Sequence, residues 1–356
     1  MRATHIETDG GASMRLKLED IGRLAGVSRS TVSRVVNGEQ NVRPAVRSRV
    51  EAVIKQTGYA PNAAARSLVS NRTGVIGLVI PSRVHSLFED PYFARLIQGV
   101  TLASNHAGTT LSLFLFQSEA EERQLYPRVV ESGYLDGIII TATKMGDPLL
   151  ARMVAREIPL VMIGRPDLDG VSYVDVDNRD GGLQAARHLV ELGYQRFGMI
   201  GAPMNTTAGH DRLDGFVTGL AEAGRSLDPQ RRVDGDFSET GGYQAMKSLL
   251  ERDIDAAFVA SDMMAGGALR AIRERGLDVP GDIGLVGFDG FPLSEHSVPP
   301  LTTIRQPVAE TAGRAVEILL DLLAETTTPP VTEVLPVELI VRSTTASQRR
   351  QGSDTT

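Results

Sequence analysis

A set of polar side chains with helical spacing lies in the segment GVSRSTVSRVVN, residues 26–37. In a helix these side chains share one face, and they are Arg29, Ser30, Ser33, Arg34 and Asn37. The opposite face is apolar and consists of Val32, Val35 and Val36. Because guanidinium, hydroxyl and amide groups can hydrogen-bond to base edges and phosphates, the polar face predicts a surface that contacts DNA.

The sequence around this face has the pattern of three short helices. The first is predicted over 18–25; Gly26 then allows a tight turn, and Ser28 is a suitable N-cap for the second helix. The third begins at Pro44 and stops before Gly58. This is a helix-turn-helix arrangement, whose second helix enters the major groove of DNA. The side chains that then reach base edges are those of Arg29, Ser30 and Arg34.

The charge distribution supports a DNA-binding head. Residues 1–74 contain 12 Lys and Arg against 6 Asp and Glu, whereas the remainder of the chain contains 25 against 38. Lys and Arg supply the sequence-independent affinity for phosphates, so a small basic head on a large acidic body favours nucleic-acid binding. The alternative is a basic surface that only faces solvent.

Composition excludes several other classes of protein. The 356-residue chain has no Cys, and its six His lack the paired spacing of a zinc site, so we expect no disulfide, no metal and no cofactor. The first residues lack an apolar signal-peptide core, and no apolar run is long enough to span a bilayer. We therefore expect a cytoplasmic protein without a membrane partner.

The segment that follows the three helices, YAPNAAARSLVSNRTG at 59–74, predicts a conditional helix. Asn62 can cap a helix that runs to about Val69, but so short a helix needs a partner to stay folded. On it, Leu68 can insert between base steps of the minor groove; alternatively, it packs against the large domain.

Several motifs in order resemble the lactose/galactose repressor (LacI/GalR) family of bacterial regulators: LEDIGRLAGVSRSTVSRVVNG, GYAPNAAARSL and IGLVIP. The resemblance extends to about residue 343. It implies that Arg29 and Ser30 are the variable base-reading pair and that Leu68 on the hinge helix is the minor-groove wedge. It also implies that Thr31, Ser33, Arg34 and Asn37 contact phosphates or bases, and the predicted set of DNA contacts is completed by Ser28, Asn62 and Ala65.

The expected domain order follows from these patterns. It comprises a disordered extension (1–13), the helix-turn-helix domain (14–60), the hinge helix and linker (61–74), a ligand-binding and dimerisation domain (75–343) and a disordered tail (344–356). Met14 begins the family-like sequence, so translation starts either at Met1 or at Met14.

From Val75 onward, short apolar runs alternate with amphipathic stretches, which predicts parallel strands joined by helices. The pattern occurs twice, so the fold class is an all-α helix-turn-helix head plus an α/β body of two lobes across a cleft. The resemblance implies a periplasmic-binding-protein-like fold whose chain crosses between the lobes near 172–176, 303–306 and 327–332.

Ligand contacts are expected in the loops at the carboxyl ends of the strands. The candidates in those loops are Tyr92, Phe93, Arg165, Arg212, Phe237, Asp262, Asp289 and Gln306. Arg212 and Asp289 can each bind two adjacent hydroxyls, and aromatic rings can stack on an apolar sugar face. The resemblance places ligand contacts at Arg212, Phe237, Asp289 and Gln306.

Each candidate also has a purely structural interpretation. Phe93 and Phe237 can be core aromatics, Asp262 can be a helix N-cap, and Arg212 and Asp289 can form a structural ion pair. The chemistry favours a sugar or sugar derivative as effector, and a purine remains the alternative.

The function that these features predict is a transcriptional regulator, most often a repressor in this family. A homodimer binds a pseudo-palindromic double-stranded operator, and a small-molecule effector shifts the population of the operator-binding state. A solute-binding protein would require a signal peptide and no basic head. An enzyme would use a carboxylate pair such as Asp262 and Asp289, but no catalytic motif is present.

Overall fold

A computed structural model describes the chain over residues 16–36, 39, 41–59, 72–83, 90–116, 118–127, 130, 133–141 and 144–347. Four of the predicted DNA contacts, Asn37, Asn62, Ala65 and Leu68, lie outside the described residues, as does the predicted N-terminal extension. The chain divides into two compact units, Met1–Thr73 and Gly74–Thr356.

The first unit contains the predicted helix-turn-helix, formed by helices α1 (Leu18–Ala25), α2 (Arg29–Val36) and α3 (Pro44–Thr57). The Ser28 hydroxyl accepts the Thr31 backbone N–H at 3.2 Å, so Ser28 caps α2 as expected. The helices share one small core of fully or almost fully buried residues: Ile21, Ala25, Val32, Val35 and Val50.

The second unit contains two six-stranded α/β lobes. The elements of the first half of this unit are β1 (Val75–Arg83), α4 (Pro91–His106), β2 (Thr110–Phe116), α5 (Glu119–Tyr126), β3 (Gly137–Thr141), α6 (Pro148–Ala155), β4 (Leu160–Ile163) and β5 (Ser172–Val176). Those of the second half are α7 (Asn178–Glu191), β6 (Phe197–Gly201), α8 (Thr207–Glu222), β7 (Arg232–Asp234), α9 (Glu239–Leu249), β8 (Ala256–Val259), α10 (Asp262–Glu274), β9 (Gly284–Asp289), α11 (Pro292–His296), β10 (Thr302–Arg305), α12 (Val308–Leu323), β11 (Thr332–Leu335) and β12 (Glu338–Ile340).

The two sheets repeat one topology. The strand order is β11-β5-β4-β3-β1-β2 in lobe one and β12-β10-β9-β8-β6-β7 in lobe two. Every pair is parallel except β10 with β12. The central strands are completely buried, since helices cover both faces, and this explains their continuous apolar runs.

The chain crosses between the lobes later than the sequence predicts. The ranges 172–176 and 303–306 are occupied mainly by β5 and β10, and the third range, 327–332, ends where β11 begins. The crossings therefore fall after these strands, near 177, 306–307 and 336–337. The predicted ranges were wrong because short β-rich segments that complete a sheet edge have the same composition as extended linkers.

Close helix packing positions the second lobe. A Cβ at Gly182 on α7 would collide with the Arg212 carbonyl of α8, so glycine is required where these helices meet.

The C-terminal segment packs into the second lobe, because Thr344 is fully buried and its hydroxyl donates to the Leu285 carbonyl at 2.7 Å. The tail predicted to be disordered from 344 is therefore folded at least through Thr345, which is 8% exposed.

Candidate functional site

The predicted DNA-reading face of α2 is accessible on the head. Arg29, Ser30 and Arg34 are exposed, Ser33 is half-buried, and Val32 is fully buried on the opposite side. The hydroxyls of Ser30 and Thr31 hydrogen-bond to that of Ser28. Arg29 Nε lies 3.2 Å from Glu19 of α1 in an exposed ion pair, so its side chain is held near the start of α2.

In the body, Arg212 is the most enclosed cation of the predicted cleft set. It lies in the second turn of α8, is 5% exposed, and its guanidinium stacks 3.6 Å from the centre of the Phe288 ring. Its Nε donates to Asn178 Oδ1 at 2.9 Å and one Nη donates to the Ala260 carbonyl at 2.5 Å. Among the described residues no ion pair within hydrogen-bond distance joins Arg212 to Asp289, but the two groups interact electrostatically, since Arg212 opposes the rise in the pKa of Asp289.

Asp289 ends β9 in a strained backbone conformation, with φ of 128°. Its Oδ1 accepts Gln306 Nε2 at 2.6 Å and its Oδ2 accepts the Asp262 backbone N–H at 3.2 Å. Non-glycine residues at such φ cost about 1–3 kcal/mol and concentrate at binding sites. Two predicted candidates, Asp289 and Gln306, are therefore brought together at the carboxyl end of the second sheet.

Asp262 has a structural role different from the predicted cap. The N-cap of α10 is Ser261, whose hydroxyl accepts the Met264 N–H, and Asp262 is the first helical residue. The Asp262 carboxylate instead accepts the backbone N–H groups of Gly290 and Phe291 and the hydroxyl of Thr303. With 1% exposure it holds the β9–α11 loop rather than facing the cleft.

The three aromatic candidates differ in burial. Phe93 is 9% exposed and belongs to the main hydrophobic core, as its structural interpretation predicts. Tyr92 is half-buried, contacts Phe93 edge-on, and has Arg212 and Asp289 within electrostatic range of its hydroxyl. Phe237 is half-buried with φ of 66°, and it packs against the second core cluster.

Arg165 follows β4 in lobe one but pairs with lobe two. Its guanidinium makes a bidentate ion pair with Asp211 on α8, with a shortest distance of 2.7 Å. The Thr207 hydroxyl of α8 also donates to the Arg165 carbonyl at 2.6 Å. Arg165 thus lies at the junction of the lobes, where it contacts protein groups.

Two further residues of the cleft, Asp175 and Asn178, are not indicated by the sequence patterns. Asp175 lies on β5 and accepts Asn178 Nδ2 at 3.1 Å, the Val176 N–H and the Arg165 N–H. The rule that strand ends carry ligand contacts would identify both, but it requires 172–176 to be a strand rather than a crossing.

The cleft contains several buried carboxyl groups whose pKa values are shifted. Burial raises the pKa of Asp175 to about 6 and that of Asp262 to about 7, although hydrogen bonds from neighbouring groups lower both values. Burial also raises the pKa of Asp289 well above its ordinary value, while Arg212 opposes this shift. Several carboxyl groups therefore interact electrostatically with one guanidinium, and protein acceptors engage two of its three nitrogens.

A helix-turn-helix unit and a two-lobed α/β unit with a polar cleft at its strand ends define the class of ligand-controlled DNA-binding regulators. Within the described parts of the chain, no helix is long and apolar enough to cross a membrane. Residues 17–62 match the model for bacterial regulatory proteins of the lacI family, and residues 186–345 match that for a periplasmic binding protein-like domain.

The chain belongs to the lacI family of bacterial regulatory proteins and is a transcription regulator, not an enzyme. It is 39% identical to the HTH-type transcriptional regulator CelR of Thermobifida fusca, over 92% of this chain and 98% of that protein. It is 34% identical to the ribose operon repressor of Escherichia coli K12, over 87% of this chain and 94% of the relative.

Two solved structures show the same fold. A CelR–cellobiose complex superposes with a TM-score of 0.74 at 37% identity, covering 93% of this chain and 100% of that one. A lac repressor dimer bound to operator and an anti-inducer superposes with a TM-score of 0.81 at 28% identity, covering 93% and 99%.

Proposed function

We propose that this protein is a cytoplasmic, operator-binding repressor whose DNA affinity is set by a neutral sugar bound between the two lobes. The observation that carries the proposal is that a buried, stacked guanidinium, Arg212 of α8, and a buried carboxyl group in a strained backbone conformation, Asp289 at the end of β9, lie within electrostatic range of each other. Such groups satisfy vicinal hydroxyls, and the half-buried rings of Tyr92 and Phe237 supply apolar faces.

Cellobiose is the first effector to test, because CelR, a relative at 39% identity, has been solved as a cellobiose complex. The proposed ligand contacts are Tyr92, Phe237, Arg212, Asp289 and Gln306, with Arg165 at the lobe junction. Phe93 and Asp262 are proposed to stabilise these contacts without touching the ligand: Phe93 packs in the core, and Asp262 holds the β9–α11 loop. The effector acts by its differential affinity for the two lobe arrangements, which changes the population that fits the operator.

For the head, we propose that Arg29 and Ser30 read bases. The remaining proposed DNA contacts are Ser28, Thr31, Ser33, Arg34, Asn37, Asn62, Ala65 and Leu68. We also propose the predicted domain order as the working division for truncations, with the body extended beyond residue 343 because Thr344 is fully buried.

A homodimer is proposed to form along matching edges of the two lobes. In lobe one, Leu102 of α4 and Leu113 of the edge strand β2 are 62% and 42% exposed. In lobe two, Val217 of α8 is 40% exposed and lies beside a groove that reaches the edge strand β7. Apolar strips at equivalent edges of both lobes fit a two-fold interface, which pairs two recognition helices with a pseudo-palindromic site.

The direct test is fluorescence anisotropy of a labelled palindromic duplex from the DNA flanking the gene, titrated at fixed salt with and without cellobiose, ribose and guanine. Specific binding that cellobiose changes by fivefold or more supports both parts of the proposal. Binding no tighter than to random DNA contradicts the operator role. If only guanine changes operator binding, the effector is a purine and not a sugar.

A further inference from the structure

The described cleft contains one side chain that hydrogen-bonds to a functional group in each lobe. Asn178, the first residue of α7, is 3% exposed and lies immediately after the first crossing between the lobes. Its Nδ2 donates to Asp175 Oδ1 of lobe one at 3.1 Å, and its Oδ1 accepts Arg212 Nε of lobe two at 2.9 Å.

The bond to Arg212 fixes the orientation of the guanidinium plane. An Arg side chain stacked on a ring can still rotate about its last torsions, and the stacking contact with Phe288 alone does not select which nitrogens face the cleft. Nε is held by Asn178 and one Nη by the Ala260 carbonyl, so the edge that carries the other Nη remains for a ligand.

The amide itself is oriented by lobe one. Its Nδ2 also donates to the Val176 carbonyl at 3.2 Å, so both hydrogens of the amide have acceptors and its oxygen must point to Arg212. A carboxylate or an apolar side chain at this position could not make both sets of bonds.

We propose that Asn178 is a positioning residue for the effector: it presents Arg212 to the ligand in the orientation that binds vicinal hydroxyls. The inference rests on the proposed sugar-binding function of the cleft. It assigns to Asn178 no contact with the ligand itself, and it predicts that the loss of the amide lowers effector affinity without a matching loss of operator affinity.

The test compares N178A and N178D with Q184A as matched control. Gln184 lies on the same helix and its amide also bridges separate segments, donating to Val337 and accepting from Leu339, but it does not touch Arg212. Cellobiose binding is measured by calorimetry, operator binding by anisotropy, and folding by thermal unfolding, all on the full-length chain at pH 7.

We expect N178A to bind cellobiose about 10- to 100-fold more weakly, the scale for a lost hydrogen bond to a charged group. N178D keeps an acceptor for Nε and should recover part of this loss. Operator affinity without sugar should stay within about twofold of wild type, and Q184A should bind cellobiose normally even if it unfolds at a lower temperature. Equal losses in N178A and Q184A, or in N178A and N178D, overturn the proposal.

A second experiment, on the unliganded protein, tests the role of Asn178 independently of whether cellobiose is the effector. Phenylglyoxal modification of Arg212 is followed by peptide mass spectrometry in the unliganded protein. We expect it to be at least about fivefold faster in N178A than in wild type or Q184A, because the guanidinium loses its buried acceptor. An unchanged rate overturns the positioning role. If wild type does not bind cellobiose, the proposed effector is wrong, and the modification rate still decides the role of Asn178.

Discussion

Arg165 and Asp211 connect the two lobes by a bidentate ion pair whose shortest N–O distance is 2.7 Å. The pair is adjacent in sequence to the ligand side of the cleft, since Asp211 precedes Arg212 on α8. The ion pair between the lobes and Arg212, a proposed ligand contact, therefore lie in the same turn of α8. The lobes are therefore held together in part by a contact between two protein side chains, which needs no ligand.

The first prediction is that D211N shifts the free protein toward an open cleft. With side chains 42% and 24% exposed, the pair contributes at most about 1 kcal/mol, so cellobiose affinity should fall by about two- to fivefold. Small-angle X-ray scattering of the unliganded protein should show a larger radius of gyration. The matched control is E222Q, which breaks the Arg187–Glu222 pair within lobe two. Equal behaviour of the two variants would contradict a role in closure.

The second prediction concerns the head, where Arg29 is paired with Glu19 at 3.2 Å. If Arg29 reads a base, R29A should weaken operator binding by about 10- to 100-fold while changing affinity for random DNA much less. E19Q should strengthen binding modestly, because it frees the guanidinium. R49A, at an exposed arginine of α3, should leave the ratio of operator to random binding unchanged. If R29A weakens binding to operator and to random DNA by the same factor, Arg29 contacts a phosphate and does not read a base.

How much of this molecule follows from its sequence is clearest at the strand ends. The head helices match the predicted bounds, because caps and turn residues such as Ser28 and Gly26 act locally. Arg212 and Asp289 are also predicted in the cleft from the sequence, because Asp289 ends the buried strand β9 and Arg212 lies in the helix after the buried strand β6, and the apolar runs of both strands are unambiguous. Local chemistry is sufficient in these cases.

The residues that were not expected depend on tertiary pairing. Asp175 lies in β5 and Asn178 follows it, and β5 is a five-residue strand near a sheet edge that is recognisable only from its pairing with β4 and β11. The Asp262 carboxylate accepts bonds from Gly290 and Thr303, which are distant in sequence, so its role cannot be read from the helix that it begins. Helix α12, in contrast, has a clear amphipathic pattern, with Ala312, Val316 and Leu319 buried, and could have been predicted.

The third prediction tests the proposed dimer. Replacing Leu113 with Glu introduces a charge into the apolar strip of lobe one, and burying it in an interface would cost several kcal/mol. Sedimentation should show a monomer for L113E and a dimer for wild type. V298E is the control, since Val298 is 74% exposed and lies away from both edge strands. If L113E is still a dimer, the interface does not include the strip around Leu113.

The fourth prediction is that the cleft rejects anionic sugars. Asp175, whose pKa is raised only to about 6, is ionised at pH 7.5 and interacts electrostatically with Arg212, whose Nε and one Nη are already engaged by Asn178 and Ala260. Cellobionate, which carries a carboxylate, should therefore bind at least about tenfold more weakly than cellobiitol, its uncharged open-chain counterpart. Calorimetry at pH 7.5 compares the two. Equal affinities would mean that the carboxyl groups of the cleft do not repel an anionic ligand.

The fifth prediction links the buried carboxyl groups to stability. Burial raises the pKa of Asp175 from 3.8 to about 6, so between these values the folded protein binds a proton that the unfolded chain has released. Stability from this group is therefore greatest at low pH and is lost as the pH rises through about 6.

Denaturant unfolding at pH 5 and at pH 8 measures the effect. Asp175 should lower the free energy of unfolding by about 1 kcal/mol over this range, so D175N should show a smaller fall than wild type, whatever its absolute stability. D253N, at a carboxylate that is 77% exposed, should retain the wild-type difference. If D175N loses as much stability as wild type between the two pH values, Asp175 is ionised throughout. Arg165 and Asn178 would then stabilise its charge more strongly than burial opposes it.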